Sequence, residues 1–120
     1  MNSKRYLIIC RRPPYGESYA REALDVALAA AAFDQPIALL FLGDGVAQLL
    51  SAHDTTAIGE KSFEKQLSAL PLYDINSIYV DVAALRERGF TAADLSLPAQ
   101  PVSDAEISVL LKDHDVVLNF

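Results

Sequence analysis

Two stretches of the chain, Tyr6–Cys10 and Ile37–Leu42, are apolar at every position. A strand with one wet face alternates polar and apolar residues, so an unbroken apolar run predicts a strand covered on both faces, as in parallel sheets. A third extended run, Ser77–Val82, passes straight into a helical turn that ends at Gly89, and a short strand over Val116–Phe120 closes the chain. Between these runs the period lengthens to that of a helix. Glu17–Phe33 carries Ala, Leu or Val at nearly every position from Ala23 onward. A helix apolar almost all round is buried on more than one side. It packs on a sheet or, on a sharper reading, faces a partner subunit as well. A further helix is expected over Gly59–Leu70, with Phe63, Leu67 and Leu70 on one face and Pro71 at its end. Ser103 and Glu106 stand at the spacing of a capping box and open a helix that runs to about Lys112.

The connections carry turn chemistry. Arg11-Arg-Pro-Pro-Tyr-Gly16 breaks the first run, Pro36 stops the long helix, and Gly43-Asp-Gly45 follows the second run. Ser51–Ile58 is polar and loop-like, and Thr91–Val102, with Pro98 and Pro101, reads as a connection without regular structure. The resulting order is β-α-β-α-α-β-α-α-β. Strands alternating with helices imply right-handed crossovers and a parallel sheet. The expectation is one α/β domain over residues 1–120: a flavodoxin-like, doubly wound sheet of about five parallel strands with helices on both faces.

Composition narrows the function classes. The formal net charge is −6, so phosphate backbones and anionic membrane surfaces are repelled, and neither nucleic acid nor membrane is expected as a direct partner. A single cysteine, Cys10, rules out an intrachain disulfide. Lys4 and Arg5 precede only five apolar residues before Arg11, too few for a signal peptide, and a cytoplasmic setting is expected.

Candidate chemistry gathers where strands end, because open α/β sheets bind ligands at their carboxyl edges. Cys10 ends the first strand beside Arg11 and Arg12. Nearby cations favour a thiolate, which would suit a sulfur carrier or nucleophile. A small buried apolar residue is the plainer reading. Gly43-Asp-Gly45 lacks the third glycine of a phosphate-binding fingerprint, and Asp44 would repel an anion. Asp44 and Asp81 both follow strands and could meet as paired carboxylates, for acid–base work or a magnesium ion, or could serve only as turn and cap residues. Arg86 and Arg88 precede Gly89 at a helix end, as cations and a glycine commonly do, and also border the rim. His53 and His114 have no second ligand at metal spacing, and no nucleophile elbow is present. No metal and no cofactor are expected.

Three stretches together bear a family resemblance. They are Arg21-Glu-Ala-Leu-Asp25; Leu40-Phe-Leu-Gly-Asp-Gly-Val46 with Gln48-Leu49-Leu50; and Leu72-Tyr-Asp74 with Ala84-Leu-Arg-Glu-Arg-Gly89. The ending Asp115-Val-Val-Leu-Asn-Phe120 fits as well. The set resembles the DsrF-like (TusC) branch of the DsrE/DsrF/DsrH sulfur-relay family. That resemblance implies a small parallel α/β domain in a cytoplasmic heterohexamer, two copies each of TusB-like, TusC-like and TusD-like chains. It implies relay of persulfide sulfur from a TusA-like toward a TusE-like carrier, ending as the 2-thio group of tRNA wobble uridine. In the family the sulfur-carrying cysteine belongs to the TusD-like sister, just before a segment like Ala84–Gly89. The matching position here is Asp81, which cannot hold a persulfide. The resemblance therefore implies a non-catalytic subunit; Asp44, Tyr73, Arg86 and Arg88 stand beside it as candidate rim or partner contacts. Two alternatives stay open: a sulfurtransferase carrying persulfide on Cys10, and a small-molecule-binding module using Gly43-Asp-Gly45 and Asp81.

Overall fold

The computed structural model describes residues 4–12, 19–49, 67–95 and 98–120. The continuous apolar runs become β1 (Tyr6–Cys10) and β2 (Ile37–Phe41), each buried after its first residue. Strand β3 is Ser77–Asp81 and β5 is Val116–Asn119. The helices are α1 (Tyr19–Ala32), a short α2 (Val82–Glu87) directly after β3, and α3 (Asp104–Asp113). A short β4, Gln100–Val102, lies in the proline-containing connection that the sequence reads as irregular. Pro101 pairs opposite Val80 there. Proline cannot donate to a sheet ladder and is tolerated at an edge, where one side of the strand needs no partner.

All neighbouring strands pair in parallel, in the order β4-β3-β2-β1-β5. The chain therefore steps outward from β1 to β4 and then crosses back to lay β5 on the other side of β1. Right-handed crossovers travelling in opposite directions put their helices on opposite faces. The core divides accordingly. Ile8, Cys10, Leu39, Phe41, Ile78 and Val80 face one way and pack with Ala20, Ala23, Leu24 and Ala27 of α1. Leu7, Ile9, Ala38, Leu40 and Val102 face the other way, against Ile107 and Leu110 of α3. Alternation along each strand sends successive side chains to opposite layers, which is why a continuous run is needed. Each fully buried Leu or Ile contributes about 1.5–3 kcal/mol.

Helix α1 buries one face only. Ala29, Ala32 and Phe33 on its outer side are exposed. Among the described residues nothing covers that outer side. Its stop also differs from the expectation. Asp34, not Pro36, ends the helix by turning left-handed at φ 58°, while Gln35 N–H donates to the Ala30 carbonyl at 3.2 Å. Pro71 does not end its helix either. Residues 67–69 are helical and a 3-10 turn, Leu70–Tyr73, continues with Pro71 in its first positions, closing on a left-handed Asp74. The remainder of the Gly59–Leu70 helix, the Ser51–Ile58 loop with His53, and Pro13–Gly16 lie outside the described residues. The capping box forms: Ser103 Oγ accepts from Glu106 N–H at 3.3 Å, and Glu106 Oε1 accepts from Ser103 N–H at 3.0 Å. Among the described residues no helix is long and apolar enough to cross a membrane.

Candidate functional site

The carboxyl rim of the sheet is built from the ends of β1, β2 and β3. Cys10, the last residue of β1, pairs beside Phe41 and is 1% exposed. Burial pushes its thiol from an ordinary 9.0 up to about 12, because a thiolate would lose its hydration there. Arg11 and Arg12 are adjacent in sequence but both exposed, and Arg11 Nε donates to Asn119 Oδ1 on β5 at 3.2 Å. The thiol therefore lacks both the access and the thiolate character that a sulfur nucleophile needs.

A 3-10 helix, Gly43–Leu49, follows β2. Leu42 N–H donates to the Cys10 carbonyl at 3.0 Å, and Gly45 N–H donates to the Leu42 carbonyl at 2.8 Å. These bonds press Gly45 onto the end of β1. A Cβ on Gly45 would lie 1.9 Å from the Cys10 carbonyl oxygen. Gly43 has φ +52°, a left-handed conformation that glycine adopts freely. Close backbone packing and a turn thus account for both glycines. The gap that a phosphate would need beside Gly45 is filled by the β1 backbone.

Two carboxylates and one guanidinium complete the rim. Asp81 caps α2: its Oδ1 accepts from Ala83 N–H at 3.1 Å while its own backbone stays extended. Aspartate is among the preferred residues for that position. Arg88, just beyond α2, donates from Nη2 to Asp44 Oδ1 at 2.8 Å and from Nη1 to the Ala84 carbonyl at 3.1 Å. The pair latches the 3-10 helix to the end of α2. Arg86 is exposed on the last turn of α2. Asp44 and Asp81 are each engaged elsewhere, one by a cation and one by a helix end. Among the described residues no group of three or more His, Cys, Asp or Glu side chains could hold a metal ion. His114 closes α3, its Nδ1 2.7 Å from the Leu110 carbonyl.

Tyr73 is not on this rim. It lies just before β3, at the amino edge, and is 49% exposed. Gln48, quoted within the second motif, has a structural role that its type alone does not announce. It is fully buried, and its Nε2 donates to the Arg12 carbonyl at 2.7 Å, holding the chain as it leaves β1. A polar residue inside an otherwise apolar turn is the only signal in the sequence that could have marked it.

The model described as the DsrE/DsrF-like family matches residues 4–120, which takes in every element of the sheet. The chain belongs to that family. Among its relatives, a Protein TusC homolog of Pseudomonas aeruginosa is 39% identical, the match covering 97% of this chain and 98% of the relative. The intracellular sulfur oxidation protein DsrF of Allochromatium vinosum is 38% identical over 98% of this chain and 96% of its own. A Protein TusC homolog of Vibrio vulnificus is 35% identical over the full length of both. The crystal structure of ychN protein from E. coli superposes with a TM-score of 0.80 at 18% identity, covering 98% of this chain and 99% of that one. That likeness shows the fold, as the doubly wound sheet predicts.

Proposed function

We propose that this DsrE/DsrF-like chain is a non-catalytic subunit of a cytoplasmic sulfur-relay complex of TusBCD type. It assembles with TusB-like and TusD-like chains, two of each, and the complex passes persulfide sulfur between TusA-like and TusE-like carriers for 2-thiolation of the tRNA wobble uridine. One observation carries the non-catalytic part. The chain has a single thiol, and that thiol is 1% exposed at the sealed end of β1. A persulfide carrier must receive and release sulfur at an accessible thiolate. Asp81 stands where the active sister carries its cysteine, and its carboxylate caps a helix. The relatives named TusC homolog and DsrF support the system to which the subunit belongs. The acidic chain leaves the tRNA to other components, since a net charge of −6 is repelled by phosphate.

The test is co-expression with the TusB-like and TusD-like chains of the same organism. A single species with the mass of a mixed hexamer is expected, and radiolabelled sulfur should be retained on the TusD-like chain. Substituting Cys10→Ala should leave that transfer intact. A chain that purifies alone beside a complete TusB–TusD assembly, or loss of transfer in the Cys10→Ala complex, would overturn the reading.

A further inference from the structure

The amino edge of the sheet, opposite the rim, holds a groove of about 230 Å³ between the end of α1 and the 3-10 turn before β3. Ala31, Pro36, Ile37 and Ile75 line its apolar walls, and Asp34 and Asp74 line it with carboxylates. Large apolar side chains stand exposed in the same two turns: Phe33 at 77%, Leu72 at 84% and Tyr73 at 49%. Exposed clusters of this kind mark interaction surfaces, and aromatic residues are enriched at protein interfaces.

The two aspartates add charge that their turns do not require. Both are left-handed, Asp34 at φ 58° and Asp74 at φ 61°. Short polar residues tolerate that conformation, yet Asn or Gly would serve as well without charge. Asp34 moreover follows the C-terminus of α1, where the helix dipole disfavours an anion, and the last turn of α1 holds no basic residue. Among the described residues neither carboxylate has an ion pair. The groove therefore sets two carboxylates without an ion pair among the described residues beside the apolar Pro36, Ile37 and Tyr73.

We propose that this groove docks a partner chain of the relay assembly through a lysine or arginine side chain set in an apolar segment. The cationic head lies against Asp34 and Asp74, the methylene stem lies along Pro36 and Ile37, and apolar neighbours cover Phe33, Leu72 and Tyr73. Long cationic side chains bind in this way, with the stem on apolar surface and the head on carboxylate. The inference rests on the subunit reading above and goes beyond it by assigning the surface and the chemistry of the contact.

The experiment measures assembly of the purified chain with its TusB-like and TusD-like sisters. Asp34→Asn with Asp74→Asn preserves the left-handed turns and removes the charge. It should weaken assembly on the order of tenfold in dilute salt, with the difference shrinking in concentrated salt. Asp34→Lys with Asp74→Lys should abolish co-elution while circular dichroism stays that of the parent. Hydrogen exchange on the unsubstituted complex needs no variant: the amides of Phe33, Asp34, Gln35, Ile37 and residues 72–75 should slow on assembly. If the parent assembles but both double variants assemble equally well, or exchange in those segments is unchanged, the docking surface is wrong and the subunit reading stands. If the parent itself does not assemble, the subunit reading fails and the docking surface falls with it.

Discussion

The two edges of one sheet are finished differently. At the carboxyl rim most of the candidate residues have an internal partner: Gly45 lies on the Cys10 carbonyl, Asp81 caps α2, Asp44 holds Arg88, and Arg11 holds Asn119, while Arg86 stays exposed. At the amino edge, Phe33, Leu72 and Tyr73 are turned to solvent and two left-handed aspartates line an open groove. The fold's habit of placing ligands at the carboxyl rim would direct attention to the first edge. In this chain Gly45, Asp44 and Asp81 there serve the domain's own structure, and the exposed large apolar side chains stand at the second.

That contrast can be broken by substitution, beginning with the largest effect. Gly45→Ala should destabilise the domain by about 3 kcal/mol, the upper end of overpacking costs, because the added Cβ meets backbone and the Cys10 carbonyl is fixed by Leu42 N–H. A denaturant midpoint within error of the parent's would show that the rim is looser than described. The pH dependence of stability tests Cys10 next. Its folded thiol titrates at about 12 against 9.0 when exposed, so above pH 9 the unfolded chain has released a proton that the folded one keeps. Stability is complete below pH 9 and falls as pH rises toward 12, by up to about 1.4 kcal/mol per pH unit. Cys10→Ala should flatten that part of the profile, and an equally steep fall in the variant would assign it to other groups.

Smaller effects sharpen the picture. Removing the cap with Asp81→Ala should cost about 1 kcal/mol, whereas Asp81→Asn should cost little, since the amide oxygen still accepts from Ala83 N–H. Equal losses in the two variants would mean that the charge, not the cap, is what matters. A double-mutant cycle on Asp44 and Arg88 should return a coupling of about 0.2–1 kcal/mol that fades with salt, because Asp44 is 70% exposed. At the amino edge Phe33→Ser and Leu72→Ser should each change the stability of the isolated chain by less than about 0.5 kcal/mol. A large loss in either would show that these side chains pack within the domain.

The layout was legible at the strands and caps. Tyr6–Cys10 and Ile37–Leu42 announce covered strands because burial on both faces leaves no place for a polar residue, and Ser103 with Glu106 announces a helix start because the capping box is a local arrangement. β4 was not legible. Three residues with a central proline carry no strand signal, and only the exposed side of the sheet edge makes room for them. The candidate site divides the same way. Asp81 and Arg88 could be placed near the rim from their positions after a strand and at a helix end. Tyr73 could not, because a residue before a strand belongs to the other edge and that depends on where the strand begins.

By itself the sequence determined the class of fold, the absence of a second thiol, and the acidic net charge, since period, composition and charge are properties of residues in order. Tertiary structure decided what those residues do. It sealed Cys10 beneath the turn that Gly45 permits, joined Asp44 to an arginine 44 positions away, and brought Asp34 and Asp74 into one groove. Each of these depends on which segments meet in space. Contacts between distant segments are set by the packing of the whole sheet and leave no mark on the local pattern of either partner.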